Sequence, residues 1–375
     1  MDFNYVVIPA LIAFGGILIA WFCLRRILLI GSKSFPTWRK ATAGVVLSLV
    51  GLISLILAGS SGWNAIALRH SRSRPPGKIY LVNGHRMRID CMGSGSPVII
   101  LESGAGGDGL DWGNVQPLLA KTTRTCSYDR AGMGWSDALP PPRDADHVAT
   151  ELNGLLTAAQ IVRPVVLMGA SRGGIFIRDY ATRYPAEVAG LIFVDTGVPL
   201  QQRNPAFKAD AESRQKGRPY MLMQRALFYA GIPRLVLGCP AQFPGLDERA
   251  SKLYGEDQCH QSFDGDDLET DSLIRSGEET VHTGPYCRLP ILIFSHDPAT
   301  VASGGQPADL VRVSENMQED LKKLSARSRR IIAKGSGHRI SWKRPELIER
   351  EVSLFIERIR GTVPEPTDYG STTTE

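Results

Sequence analysis

Apolar residues are distributed along this chain in two different ways. In the first part they run together: YVVIPALIAFGGILIAWFCL, Tyr5 to Leu24, contains no charge, and ATAGVVLSLVGLISLILAGSSGWNAIAL, Ala41 to Leu68, is a second and longer uncharged stretch. About twenty apolar residues in a helix cover a hydrocarbon core of ~30 Å. The pattern therefore predicts two transmembrane helices, over about 5–24 and 41–62, within a membrane anchor of residues 1–72. A cleaved signal peptide is the rival for the first stretch. A signal carries basic residues ahead of its apolar run, whereas here Asp2 precedes and Arg25 and Arg26 follow, the order of a retained anchor.

From Lys78 onward the apolar runs are short and alternate with polar ones. KIYLVNGHRMRIDC reads as a β-hairpin turning at Asn83-Gly84, residues that accept the positive φ angles of a tight turn. SPVIILESG is a buried strand, LDWGNVQPLLAKT looks helical, and RTCSYDR is a short strand. DHVATELNGLLTAAQI has Val148, Leu152, Leu155 and Leu156 at helical spacing. VVLMG, a helix from Gly173, and AGLIFVD follow. Strand and helix alternating in this way predict a mostly parallel, doubly wound α/β sheet with helices on both faces.

Residues 199–288 break the rhythm. They are rich in Gln, Arg, Gly, Pro and Asp, with two helices expected around Tyr220 to Tyr229 and Glu248 to Tyr254, and they read as a helical cap inserted in the sheet domain. The alternation resumes with LPILIFSHD, a helix through Asp309 to Leu324, RRIIAKG and PELIEREVSLFIERIR. The core is thus expected over 73–198 and 289–361, and the polar tail 362–375 reads as disordered.

Composition changes this picture little. Hydrophobic residues make up 43% and charged residues 22% of the chain, as in ordinary folded proteins, and the net charge of +5 arises largely before residue 80, so it reads as membrane flanking. Without a basic stripe interleaved with aromatics, no nucleic-acid partner is expected. Without CxxC, HExxH or similar spacing, no metal and no cofactor is expected. Arg25, Arg26, Lys33, Arg39 and Lys40 lie between the spans with no acid among them, which places that loop in the cytoplasm and the chain beyond the second span outside. Arg69, Arg72, Arg74 and Lys78 pull the other way. Five cysteines in the soluble part, Cys91, Cys126, Cys239, Cys259 and Cys287, favour an extracytoplasmic domain, where disulfides persist.

The chemistry starts at VVLMGASRGG. An apolar strand that turns at once into a helix needs small residues where the two backbones pass, and Gly169, Ala170, Gly173 and Gly174 provide them. Ser171 is then exposed above the carboxyl end of the strand and beside a helix start, where negative charge is stabilised. Gly169-Ala170-Ser171-Arg172-Gly173 is the only G-x-S-x-G in the sequence, and strand before with helix after is the setting of a nucleophile elbow.

On these residues, the chain from about Lys78 to Arg360 resembles the α/β-hydrolase superfamily, in particular its membrane-anchored or secreted bacterial members with a cap. The family's order of serine, acid, histidine implies Ser171 as nucleophile, His338 of AKGSGHRISW as base, and Asp297 of ILIFSHDPAT as the acid, with Asp195 of GLIFVDTG as the rival acid. It implies an oxyanion hole from the N–H groups of Arg172 and Ala105, although LESGAGGDG has Ser103-Gly104 where the family has His-Gly. SYDRAGMGWSD looks like a family signature and reads as structural, with Asp129 and Arg130 paired to each other or to backbone. The fold would bring Cys91 near Cys126, the first expected disulfide, with Cys239 and Cys259 second. The resemblance implies hydrolysis of a small-molecule carboxylic ester or thioester through an acyl-enzyme. Phe207, Met221, Met223, Phe228 and Tyr229 would line an apolar acyl pocket or form the cap's own core, and the nearby bilayer would suit a lipid-like ester. Three alternatives stay open: a non-catalytic membrane-tethered binding or sensing domain, an aminopeptidase, and a cofactor-free peroxidase.

Overall fold

The computed structural model describes residues 3–31, 35–207 and 264–375, with 219–220, 222–224, 226–237, 246, 248 and 251–253 of the intervening segment. Its elements in chain order are α1 (Phe3–Gly31), α2 (Thr37–Arg72), β1 (Lys78–Val82), β2 (His85–Met92), β3 (Ile99–Glu102), α3 (Gln116–Leu119), β4 (Thr125–Tyr128), α4 (Ala145–Ala158), β5 (Val165–Ala170), α5 (Gly173–Arg183), β6 (Val188–Val194), α6 (Ile232–Leu237), α7 (Asp264–Asp271), α8 (Leu273–Thr280), β7 (Ile291–His296), α9 (Pro298–Ser303), α10 (Ala308–Asp320), β8 (Ser328–Ala333), α11 (Ile340–Lys343), α12 (Pro345–Arg360) and β9 (Thr372–Thr374).

These elements fall into two compact units. One holds α1, α2 and the described residues of 219–237; the other holds Pro75 to Phe207 and residues 264–375. In the first, α1 and α2 form an antiparallel hairpin. Gly16 allows the close approach, since a Cβ there would stand 2.6 Å from the Ser54 carbonyl oxygen. Val7–Gly31 and Thr37–His70 are long and apolar enough to cross a membrane. Only 22% and 17% of their most apolar windows are buried, the reverse of a soluble core helix, and Leu11, Phe14, Trp21, Val46 and Ile53 stand more than half exposed.

The second unit is built on one nine-stranded sheet in the order β1-β2-β4-β3-β5-β6-β7-β8-β9. β1, β2 and β4 pair antiparallel, and every pair from β4·β3 to β8·β9 is parallel. The hairpin turns at Asn83 (φ 50°) and Gly84 (φ 84°), as that dipeptide requires. Strand alternation sorts the core into two layers. Ile100, Leu167, Leu191, Phe193 and Ile293 pack on one face with Leu152, Leu156, Ile177 and Tyr180 of α4 and α5. Ile99, Leu101, Val166, Met168, Ile192 and Phe294 pack on the other with Trp112, Leu119 and Ile348, Val352 and Ile356 of α12.

Three expectations change. The tail is not disordered: Thr372–Thr374 adds a ninth strand, with Arg330, Ile331 and Ile332 of β8 opposite it. A run of β-branched threonines after Gly370 suits an edge strand. The insertion is not one cap. Its described residues 226–237 belong with α1 and α2, whereas α7 and α8 belong with the sheet. LDWGNVQPLLAKT forms a 3-10 turn over Gly109–Trp112 and the short α3 in place of one helix, because Gly113 and Pro117 interrupt it. Positions 222–224, 226–229, 248 and 251–253 are helical, within the two stretches expected.

Candidate active site

Ser171 follows β5 with φ 51°, the left-handed conformation of a sharp elbow. The small residues around it are required by contact. A Cβ at Gly173 would lie 2.6 Å from the Glu102 carbonyl oxygen, and one at Gly174 would lie 2.4 Å from Thr196 Cβ. Ser171 N–H donates to the Val194 carbonyl (3.1 Å), and Ser171 O accepts from Gly197 N–H (2.9 Å), so the elbow is fastened to the end of β6. Since Ala170 pairs with Val194, Ser171 and Asp195 leave adjacent strands side by side.

Asp195 is buried and its carboxylate holds two histidines. Oδ1 faces His296 Nδ1 at 2.7 Å and also accepts the His296 backbone N–H at 3.1 Å, while Oδ2 faces His338 Nδ1 at 2.6 Å. Burial alone would raise the Asp195 pKa, but the hydrogen bonds from His296 and His338 reverse this and hold the carboxyl well below the usual carboxylate range. An ionised carboxylate only accepts, so each Nδ1 carries the proton it donates, and Nε2 of the neutral His338 ring is the basic nitrogen. Burial opposes charge on His296, and its contact with Asp195 outweighs this and raises its pKa. His296 Nε2 is buried without a hydrogen-bond partner among the described residues.

Asp297, expected as the acid at His338, is elsewhere. It caps α9, with Oδ1 accepting Ala299 N–H at 3.0 Å, and its Oδ2 accepts Gly335 N–H at 2.9 Å. The Gly335 hydrogen bond is the main cause of its lowered pKa. The physical reason is strand alternation: His296 turns to Asp195, so the next residue turns away. The carboxylate that reaches His338 is the rival's, Asp195.

The loop after β3 lies against the elbow. A Cβ on Gly104 would stand 3.1 Å from Ser171 Cβ and 3.7 Å from Oγ. Arg130 shapes this loop and is not paired with Asp129, whose Oδ1 takes Arg88 at 2.7 Å instead. Buried Arg130 donates to the carbonyls of Ser103 (2.8 Å) and Gly104 (2.7 Å) and to Glu102 Oε1 (2.6 Å). In a trans peptide C=O and N–H point oppositely, so the grip on Gly104 O turns Ala105 N–H away from Arg130.

Glu269 of α7 joins the two sides of the site. Its Oε1 lies 2.6 Å from Arg130 Nε, and its Oε2 lies 2.9 Å from Arg130 and 3.3 Å from Arg172. Arg172 also reaches Asp266 Oδ1 (2.9 Å) and Thr270 Oγ1 (2.9 Å). One buried carboxylate thus bonds the arginine that holds the β3 loop and the arginine that follows Ser171. Glu102, beneath them, also accepts the Tyr128 hydroxyl; burial pushes its pKa up to about 7, with Arg130 and Tyr128 opposing.

Cys91 and Cys126 form a disulfide between β2 and β4, where they are opposite partners in the ladder. Cys239, Cys259 and Met221 lie outside the described residues. Phe228 and Tyr229, considered for an acyl pocket, are buried in the unit of α1 and α2, their carbonyls taken by Asn64 (3.1 Å) and Ser61 (3.0 Å); Phe207 is half-buried and Met223 exposed. No sequence pattern marks Glu269 or Glu102, and His296, which reads from the sequence as a loop residue beside Asp297 and not as a second base, instead ends β7 with its ring on Asp195. For Glu269 the partner is 139 residues away and no local pattern marks it.

The sequence profile of the alpha/beta hydrolase family matches residues 98–351. A protein of Gibberella zeae described as an AB hydrolase superfamily protein is 25% identical over 292 residues, 70% of this chain and 87% of that one. The probable transporter efuK of Hormonema carpetanum is 27% identical over 303 residues, 70% of this chain, which spans only 40% of that protein's length. Among solved structures, a thermophilic esterase from Thermogutta terrifontis aligns with TM-score 0.54 and 18% identity over 76% of this chain and 99% of that one, a likeness of fold.

Proposed function

The chain belongs to the alpha/beta hydrolase family, and from that premise we propose that it is a membrane-anchored serine hydrolase that cleaves a carboxylic ester or thioester through an acyl-enzyme at Ser171. The observation that carries this reading is the 2.6 Å contact between Asp195 Oδ2 and His338 Nδ1, made at the strand end adjoining the Ser171 elbow. His338 Nε2 takes the Ser171 proton as Oγ attacks the carbonyl carbon, and returns it to the leaving alcohol or thiol. Asp195 holds the ring in the required tautomer and stabilises the imidazolium. Ala105 and Arg172 N–H receive the oxyanion. Water, deprotonated by the same histidine, then releases the acid and frees the serine.

α1 and α2 anchor the enzyme, and the exposure of their apolar side chains supports a lipid surround. The Cys91–Cys126 disulfide favours an oxidising, extracytoplasmic location for the hydrolase unit.

The test is labelling of the full chain in detergent by a fluorophosphonate, beside Ser171→Ala and His338→Ala, with turnover of esters of increasing acyl length. Labelling and turnover lost in both variants are expected. A folded chain that neither labels nor hydrolyses any ester would replace this reading with that of a tethered binding domain.

A further inference from the structure

Residues 226–237 come from the insertion between β6 and β7, yet they pack on α1 and α2. The contacts are specific. The Ser61 hydroxyl reaches the carbonyls of Pro9 (2.8 Å) and Tyr229 (3.0 Å), and Asn64 donates to the Phe228 carbonyl (3.1 Å) while its Oδ1 accepts from Arg234 (3.2 Å). Gly231, at φ 74°, passes so close to α2 that a Cβ would stand 2.6 Å from the Ser60 carbonyl oxygen.

The depth of these contacts follows from helix geometry. From Lys40 to Ser61, α2 rises about 30 Å, the thickness of a hydrocarbon core. Ser61, Trp63 and Asn64 therefore stand at the edge of the core opposite the basic loop. Polar groups at that depth need protein partners, and the carbonyls of residues 228 and 229 supply them. Trp63 is half exposed, as interfacial tryptophans are, and the Arg234 guanidinium sits 5.9 Å from its ring centroid.

Among the described residues of 222–237 the exposed side chains are mostly apolar, with Gln224 the polar one among them. Leu222, Met223, Leu227, Leu235 and Val236 are 42–70% exposed. Arg234, held against α2, is the one charged side chain among the described residues of 219–237. In water this patch would be a liability; at the level of Trp63 it meets acyl chains and headgroups.

We propose that residues 222–224 and 226–237 are a membrane-docking element whose partner is the lipid leaflet at the outer ends of α1 and α2, and that the ester hydrolysed is one resident in that leaflet. The inference rests on the reading of α1 and α2 as membrane spans and of the site as an esterase. The element belongs to the insertion between β6 and β7, the strand before Asp195 and the strand that ends in His296.

The experiment uses the full chain in phosphatidylcholine–phosphatidylglycerol nanodiscs, with photoreactive p-benzoylphenylalanine placed at Val236 or, as a second site, Leu222. Val46 within α2 serves as the lipid-facing reference and exposed Val162 of the sheet unit as the aqueous one. Lipid adducts at Val236 or Leu222 within about threefold of Val46 and about tenfold above Val162 are expected of an interfacial element. Adducts at the Val162 level, or to protein alone, at both sites would overturn the docking. In the second arm, Leu235→Asp with Val236→Asp should lower turnover of a vesicle-resident long-chain ester about fivefold or more, with a water-soluble short ester within about twofold. Equal loss on both esters, or on neither, would overturn the leaflet-resident substrate. If the unsubstituted chain turns over neither ester, the esterase reading and the substrate assignment fall, and the adducts still decide the docking.

Discussion

His338 directs Nδ1 at Asp195 Oδ2 across 2.6 Å, and the residue that resembles the more usual acid, Asp297, is spent on a helix start and on Gly335 N–H. The two aspartates therefore separate by mutation. Asp195→Asn keeps the shape but removes the charge proposed to stabilise the imidazolium, and kcat should fall about 10³–10⁴-fold on any ester. Asp297→Asn should cost about 1 kcal/mol through the weakened cap and change kcat less than about tenfold. Steady-state kinetics and a thermal melt of both variants check this; a larger kcat loss in Asp297→Asn would reverse the assignment.

Glu269 bonds both Arg130 and Arg172, so its charge bears on both sides of the proposed oxyanion hole. Glu269→Gln should lower kcat about 10–100-fold with little change in KM, because the oxyanion forms only after substrate is bound. Affinity for a trifluoromethyl ketone analogue should fall in parallel. A purely structural role would lower the melting temperature and leave kcat and analogue affinity of the folded protein unchanged. Comparing the three readouts in Glu269→Gln and Glu269→Asp distinguishes the two.

The sheet was legible because its strands are buried on both faces and read as apolar runs between turn residues, as in VIILE, VVLMG and ILIFS. The elbow was legible because close backbone passage leaves few choices beyond glycine and alanine at 169, 170, 173 and 174. Which aspartate faces His338 was not, for β6 and β7 are each followed directly by an aspartate, Asp195 and Asp297, and the direction of His296 is what turns Asp297 away. α7 was missed because DGDDLETD has one apolar side chain, Leu268; its helix is held by ion pairs of Asp266 and Glu269 to residues far away in sequence. The division of the insertion was illegible for the same reason, since Ser61 and Asn64 look like ordinary residues of an apolar helix until their partners at 228 and 229 are seen.

The proton on Glu102 makes stability depend on pH. Buried beneath the β3 loop, folded Glu102 titrates at about 7 against an ordinary value of 4.5. Between those values the native state holds a proton that the unfolded chain has released, so this group's contribution falls as pH rises from 4.5 through about 7, by at most about 3 kcal/mol. Glu102→Gln should flatten that slope, leaving the variant relatively more stable at pH 8 than at pH 5 when compared with the parent. Denaturant midpoints of the two chains in detergent across this range decide it; parallel pH curves would mean that Arg130 keeps Glu102 ionised throughout.

Cys91 and Cys126, 35 positions apart in sequence, tie β2, an antiparallel strand near the sheet edge, to β4. The crosslink acts mainly on the unfolded chain by closing that loop, so replacing both cysteines with alanine should lower stability by about 2–4 kcal/mol. The folded double variant should keep the kcat of the parent, because Ser171, Asp195 and His338 are carried by β5, β6 and the loop after β8. Dithiothreitol should lower the melting temperature of the parent toward that of the double variant and leave the variant itself unmoved. A parent whose melting temperature ignores the reductant, with both thiols alkylated in the native protein, would show that the pair is reduced in the cell, and would withdraw the support it gives to an extracytoplasmic hydrolase.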